Sequence, residues 1–508
     1  MTADGDGSAP RGRGPARPLL RGGRGALACG HPLAASAGAA MLAGGGTAAD
    51  AAVAAGAVLC VVLPDACGLG GDALALVRSA DGHSIGYNGS GAAPAGLAPG
   101  LIAAEGAGAV AVPGVIAALF DLHAAHGALP WADVLAPAVR IARHGMPLTE
   151  QLRATIARHR GRLERWAAGW GVLGVAGPAG ARVVQPELAS VLERVALAGP
   201  SALYEGPIAE AIEAAAGGAC GTLTSADLSA HRTPVLAPVV RDRLGARISA
   251  QPPVSQALLV LIALGALEAG GPAQRAGAER THGLVEALEG AFAHRDAIGA
   301  AGGAEALADA VVEIDPERAL RRGGPDSGTH TTAVAAADSD GLVVSMLLSV
   351  FSEFGSAVLV DAGGFLLNDR LHGFTSGENR PRRGHRPVHT LSPLVVEEEA
   401  RVFALCTPGA DGQVQTLSQI LAAVLIDGVS LPAALAAPRF RSRRGALSVE
   451  ADYDPVALDE LARRGHVIRR LPAGAWEFGA ASSAGIETAT GTTFAATDPR
   501  REVWGAAV

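Results

Sequence analysis

The chain has 508 residues, 49% of them hydrophobic and 18% charged, with a formal net charge of −8. Such a length and apolar content support a large folded core, exclude an intrinsically disordered chain, and by themselves suggest roughly two to four domains. A negative balance leaves no electrostatic footprint for nucleic acid or an anionic membrane, and the Arg clusters at Arg11–Arg24 and Arg382–Arg386 are too short and too separated to change that.

Residues 1–24, rich in Gly, Pro and Arg, read as a disordered leader. A short strand then precedes an Ala-rich helix opened by His31-Pro32-Leu33 and stopped by Gly44-Gly45-Gly46. Ala48–Val62 predicts a second helix, apolar on every face and so buried all round. The stretch from Ala26 to Leu63 is broken by those glycines and by Asp50, so it is not a membrane span, and with no secretory leader the expected compartment is the cytoplasm. A tight loop, Asp65 to Asp72, leads into a strand over 73–78. Amphipathic helices alternate with Pro and Gly breaks over 115–197, another helix covers 208–215, and Thr224 caps a short turn. Paired strands are predicted over 235–248, and long helices over 255–268 and 282–296.

The character changes at Thr331. Residues 331–338 predict a strand, Asp338-Ser339-Asp340-Gly341 a turn, and 342–350 the returning strand. Further strands fall at 358–360, 394–397 and 402–406, with helices at 414–425 and 455–464. The five cysteines (Cys29, Cys60, Cys67, Cys220 and Cys406) form no C-x-x-C pair and read as free buried thiols. The 14 histidines form no H-E-x-x-H pattern, the Gly68–Asp72 loop lacks phosphate-loop spacing, and there is no lysine to complete one, so neither a metal nor a cofactor is implied.

Thr331 lies where the run Gly323-Gly324-Pro325-Asp326-Ser327-Gly328 meets a strongly patterned hairpin. A threonine hydroxyl needs a base before it attacks a carbonyl. Peptide cleavage just before it would free its own α-amine, whose pKa near 8 suits that task. An ordinary strand threonine explains the same residue equally simply.

Motifs along the chain decide the matter in favour of chemistry. They include His31-Pro32-Leu33-Ala34, Gly45-Gly46-Thr47-Ala48-Ala49-Asp50, Cys67-Gly68-Leu69-Gly70-Gly71-Asp72, Asn88-Gly89-Ser90-Gly91, Val112-Pro113-Gly114 and Gln251-Pro252-Pro253. After the hairpin come Gly363-Gly364-Phe365-Leu366-Leu367-Asn368, Leu391-Ser392-Pro393 and Ala437-Pro438-Arg439-Phe440. This ordered series resembles the γ-glutamyltransferase family of N-terminal-nucleophile hydrolases from about Ala28 to Ala507. The resemblance implies an α+β fold, a four-layer αββα sandwich shared by two autoprocessed subunits, 25–330 and 331–508, that remain paired.

In that family the nucleophile lies seven residues before the Asp of the turn, which selects Thr331, with Thr329 as the alternative register. Cleavage then falls between His330 and Thr331. By position, Ser349 matches the hydroxyl that supports the nucleophile, and Gly409 and Ala410 match the backbone N–H pair of the oxyanion hole, with Ala410 replacing a family glycine. The groups that read a γ-glutamyl substrate do not match. Ser90, Gly91 and Ala92 fill the stretch that holds the family's carboxylate-binding Arg, His389 and Thr390 replace a serine pair, Gly373 replaces an Asp, Phe351 an Asn and Arg370 a Gln. The resemblance therefore implies an amide hydrolase or acylase acting on a small molecule through a Thr331 acyl-enzyme, with ordinary γ-glutamyl substrates disfavoured. A true γ-glutamyltransferase or glutathione hydrolase, a recruited hydrolase cleaving a C–C bond, and an uncleaved non-catalytic homologue are the alternatives.

Overall fold

A computed structural model describes residues 14–98, 100, 102–174, 177–217, 222–271, 273, 275–300, 303–324 and 330–508. Residues 1–13, Cys220, the segment 325–328 and Thr329 lie outside the described residues. Two mainly antiparallel sheets stack face to face. The first runs, in spatial order, Trp504–Ala507, Gly25–Cys29, Thr332–Asp338, Val343–Ser349, Asp72–Arg78, Ser84–Gly89 and Val235–Leu236. The second runs Leu20–Gly22, Thr493–Thr497, Ser482–Glu487, Arg401–Cys406, Leu394–Glu397, Ala246–Ala250 and Val239–Arg243.

Alternation along the strands sorts the core into three layers. Ala73, Ala75, Val334, Ala336, Val344 and Met346 turn outward onto the helices Pro32–Ala43, Ala48–Val62 and Val115–His126. Ala26, Ala28, Leu74, Ala333, Ala335, Ala337, Leu347, Ala404 and Ala484 face inward and fill the space between the sheets. The other face of the second sheet packs against Leu258–Ala269, Gly277–Phe292 and Gly412–Leu425. The result is the four-layer αββα sandwich. Small inward residues let the two sheets approach closely, which gives the alanine-rich composition a structural use.

Both sheets draw strands from each side of residue 330, so the chain is one shared core and not the several domains its length suggests. The helix Ala48–Val62 is buried along its whole length, as its unbroken apolar pattern requires. Thr47 and Asp50 form a capping box at its start. Leu20–Gly22, read from the sequence as part of a disordered leader, instead pairs with Thr493–Thr497 as an edge strand. The pattern also misses the three last strands, whose Ser, Ala, Gly and Thr residues alternate in no clear hydrophobic period. Cys29, Cys60, Cys67 and Cys406 are free and buried.

Candidate active site

The site is built by register. In the first sheet Thr332 lies opposite Leu348, Ser349 opposite Asp72, and Ala73 opposite Gly89. One step on toward the strand ends, Thr331 comes opposite Ser349 and Ser90 opposite Asp72. Paired residues share a face, and Thr331, Ser349 and Asp72 each lie two residues from Ala333, Leu347 and Leu74, which all face the inter-sheet layer, so they share that face. A row of four polar residues thus crosses one end of the sandwich, and all four are buried.

The Thr331 hydroxyl donates to the carbonyl oxygen of His330 at 2.5 Å, so the oxygen sits against the peptide that precedes it. Ser349 Oγ accepts the N–H of Phe351 at 2.9 Å. That leaves the seryl proton available to a neighbouring oxygen. Gly30 lies beside the start of the same strand, and its N–H donates to Ala333 at 3.2 Å. A Cβ there would stand 2.2 Å from Thr332 Oγ1, so glycine is required for this approach.

Gly409 and Ala410 follow the strand Arg401–Cys406 and precede the helix Gly412–Leu425. Both have positive φ, 130° and 49°. Their carbonyls accept from Gly412 and Gln413, while among the described residues neither of their own N–H groups donates. Gln256, which carries no role in the sequence reading, donates through Nε2 to both Thr390 O and Ala410 O at 3.3 Å and couples the two loops.

His330 is equally buried. Its Nδ1 lies 2.9 Å from Glu353 Oε1, its Nε2 3.8 Å from Asp65, and its ring packs on Trp476 with centroids 5.2 Å apart. His159 and Arg158 also meet Glu353. Burial alone would raise the Glu353 carboxyl, but His159 and His330 outweigh it and hold it far below the usual range. Asp65 moves the other way, raised by burial.

The residues at the glutamyl-reading positions form a different set of contacts. Arg370 and Asp72 are both 0% exposed and paired, Nε to Oδ2, at 2.6 Å. His389 Nε2 lies 3.4 Å from the same oxygen, and Gly91 N–H donates to Asp72 Oδ1 at 3.0 Å. His389 Nδ1 accepts the N–H of Leu391, so Nε2 carries the proton. Burial, with Arg370 next, pushes the His389 pKa down to about 4 and keeps the ring neutral. Burial would raise Asp72, yet Arg370 and His389 hold it below its ordinary value. The Arg370 guanidinium lies over the Phe351 ring, 4.7 Å from the centroid. Ser90 Oγ donates to Asn88 Oδ1. At Gly373 a Cβ would stand 3.1 Å from both Pro387 Cβ and Val388 O, so a side chain there would have to push its neighbours aside slightly. Asp72 was named in the sequence only as the end of a Gly-rich motif. Its partners lie about 300 residues away (298 for Arg370), so its place in the row is a tertiary fact.

The sequence model of the family described as Gamma-glutamyltranspeptidase matches residues 34–508. The chain belongs to that family. Among its curated relatives are the oxamate amidohydrolase proenzyme of Klebsiella pneumoniae, 30% identical over 92% of this chain and 96% of that protein, and the glutathione hydrolase-like YwrD proenzyme of Bacillus subtilis, 32% identical over 86% and 90%. Among solved structures, cephalosporin acylase from Bacillus halodurans superposes with a TM-score of 0.86 at 28% identity, covering 100% of this chain and 99% of that one. The Helicobacter pylori gamma-glutamyltranspeptidase structure covers 55% of this chain and 86% of its own, with a TM-score of 0.52 at 26% identity. As a gamma-glutamyltranspeptidase-family member the chain is an enzyme, an amidohydrolase of the N-terminal-nucleophile superfamily whose relatives are made as proenzymes. No helix among the described residues is long and apolar enough to cross a membrane.

Proposed function

We propose that the protein cleaves itself between His330 and Thr331 and then hydrolyses a small amide that is not a γ-glutamyl compound. The observation that carries this reading is the row of Thr331, Ser349, Asp72 and Ser90, with the threonine hydroxyl against the scissile carbonyl. In the precursor Thr331 Oγ attacks the His330 carbonyl carbon, the peptide C–N bond breaks to leave an ester and a free α-amine, and water cleaves the ester. The mature amine then takes the hydroxyl proton as Oγ attacks a substrate amide. The oxyanion is held by the Gly409 and Ala410 N–H groups, which are fixed before charge develops. The proton passes to the leaving amine, and water releases the acid from the acyl-enzyme.

Two features argue against γ-glutamyl substrates. No arginine stands within Ser90–Ala92 itself, and Gly373 carries no acidic side chain to meet an α-ammonium, its Cβ position already lying 3.1 Å from Pro387 and Val388. The curated relatives named above are an oxamate amidohydrolase and a glutathione hydrolase-like protein, and a structural neighbour is a cephalosporin acylase, so amide cleavage is the shared property and the acyl group varies.

Intact-mass analysis of the wild type beside Thr331→Ala tests the mechanism. Two fragments breaking at His330–Thr331 are expected in the wild type and one uncut chain in the variant. A wild type that stays uncut, or a Thr331→Ala chain that still processes, would overturn the assignment. Turnover of γ-glutamyl anilides faster than plain acyl anilides would overturn the specificity.

A further inference from the structure

Two histidines and a glutamate meet away from the polar row, in the outer helix layer. His282 and Glu286 stand four residues apart on the helix Gly277–Phe292, one turn along the same face. His466 comes from the loop between the helix Pro455–Arg463 and the strand Ile468–Leu471, 184 residues from His282 in the chain. All three are buried, and one donor atom from each lies within 4.8 Å of the other two.

Neighbouring groups hold each residue so that one atom still faces the cluster. His282 Nε2 lies 2.7 Å from the Asp315 carbonyl oxygen, which can only accept, so Nε2 carries the proton and Nδ1 of the neutral ring is bare. A backbone carbonyl on the far ring nitrogen is how metal-binding histidines are commonly oriented. The His466 N–H donates to the Leu461 carbonyl at 3.0 Å and fixes that loop, with His466 Nε2 2.8 Å from His282 Nδ1. Glu286 Oε1 accepts the Leu320 N–H at 3.1 Å, whereas Oε2 has no hydrogen-bond partner among the described residues. Arg322 comes within 3.8 Å of Oε2 but directs its hydrogen bonds to the carbonyls of Glu286 and Glu313. Glu286 is 0% exposed, and a carboxylate oxygen left unmet at such depth costs free energy until a cation or donor reaches it.

We propose that His282, Glu286 and His466 bind one zinc-class divalent cation, which ties the helix Gly277–Phe292 to the loop that follows Arg463. Two imidazoles and a carboxylate suit Zn2+ and its neighbours Co2+ and Ni2+, and not Mg2+ or Ca2+, which take oxygen ligands. Zinc bonds of about 2.0–2.2 Å put tetrahedral ligands about 3.4 Å apart, so the two rings part by about half an ångström and the carboxylate closes in. His466 moves its proton from Nε2 to Nδ1, and water takes the fourth position. The ligands come from both sides of residue 330, so the ion would also join the two products of the proposed cleavage. Binding itself does not depend on Thr331 being the nucleophile.

The test uses the full-length protein, stripped with a chelator, equilibrated with ZnCl2 alone and desalted before elemental analysis. A single equivalent of zinc per chain is expected, with Mg2+ and Ca2+ not retained and Co2+ giving a visible ligand-field spectrum. Glu286→Gln keeps an acceptor for Leu320 and removes only the charge. It and His466→Gln should each weaken zinc binding by at least about 10-fold, the scale on which even outer-shell changes act, and erase the Co2+ spectrum. A wild type that retains no zinc overturns the proposal, as do folded variants that bind zinc as the wild type does, because the ion then sits elsewhere. Should Glu286→Gln fail to fold, the wild-type stoichiometry and His466→Gln still decide. Thr331→Ala should bind zinc unchanged, so failure of the nucleophile assignment and failure of the metal site are seen apart.

Discussion

Ala410 shows how one side chain is tolerated for the position of its backbone. A non-glycine residue at φ 49° pays roughly 1 kcal/mol in steric strain, and its N–H is one of the two proposed to meet the oxyanion. Ala410→Gly should therefore raise stability, or leave it within about 1 kcal/mol, because the unfolded chain gains entropy in partial offset. Denaturant unfolding checks this, and a loss well beyond that range would show that the methyl group is needed for packing. Gly373→Asp addresses the opposite situation. Its Cβ meets Pro387 and Val388 at 3.1 Å, so restoring the family carboxylate should destabilise the fold by about 1–3 kcal/mol without conferring γ-glutamyl turnover. Measured γ-glutamyl anilide hydrolysis by a folded Gly373→Asp protein would refute that account. The seven-residue spacing nominated Thr331, and the motif order nominated Ser349, Gly409 and Ala410, for the roles proposed here. Asp72, Glu353 and Gln256 were not legible as site residues, because their meaning comes from partners brought from distant segments.

At the scale of elements, the hairpin that carries Thr331 is anchored at its far end. Asp338 accepts the N–H of Ala48 at 2.7 Å through Oδ2, and those of Asp340 and Leu342 through Oδ1. One carboxylate thus closes the turn and caps the buried helix Ala48–Val62, on the side where the helix dipole favours negative charge. Asp338→Ala leaves these N–H groups unmet and should cost about 2–3 kcal/mol, with slower or incomplete self-cleavage as the strand loses its hold. Thermal unfolding and intact mass measure the two effects, and an unchanged melting temperature would remove Asp338 from this role. Such double use is invisible in a linear pattern, where Asp338 reads only as a turn residue.

For the whole molecule, the strand order sets what would follow from the proposed cleavage. In the first sheet Gly25–Cys29 lies between Trp504–Ala507 and Thr332–Asp338, so segments from both sides of the proposed cleavage point alternate in one ladder. The two products should co-elute on native size exclusion and separate only in denaturant, and separation in native buffer would contradict the shared core. Acid should weaken the assembly. His31, His231, His389 and His466 are each pushed to about 4, first by burial. Their folded values are depressed, so the stability they confer is complete above the unfolded value near 6.5 and declines as pH falls toward 4. Each contributes at most about 3 kcal/mol over that interval. Glu286, raised to about 7 by burial, acts in the opposite sense and reduces the total. His31 Nδ1 caps the first helix by accepting the Leu33 N–H, a bond that protonation abolishes. His31→Asn, which keeps a capping acceptor, should therefore show a shallower loss between pH 7 and 4.5 by chemical denaturation. Equal slopes would place the acid sensitivity elsewhere.

From sequence alone one could determine the family, the layer architecture that the family implies, the hairpin and the fully buried second helix, and could nominate Thr331 as the nucleophile proposed above. Each depends on local order, spacing or hydrophobic period, which a linear chain displays directly. Only the tertiary structure determined that Leu20–Gly22 joins a sheet, that a Cβ at Gly373 would crowd Pro387 and Val388, and that Arg370 is wholly buried against Asp72. Those facts depend on which surfaces meet, and residues 72 and 370 acquire a shared electrostatic problem only after folding has removed the water between them.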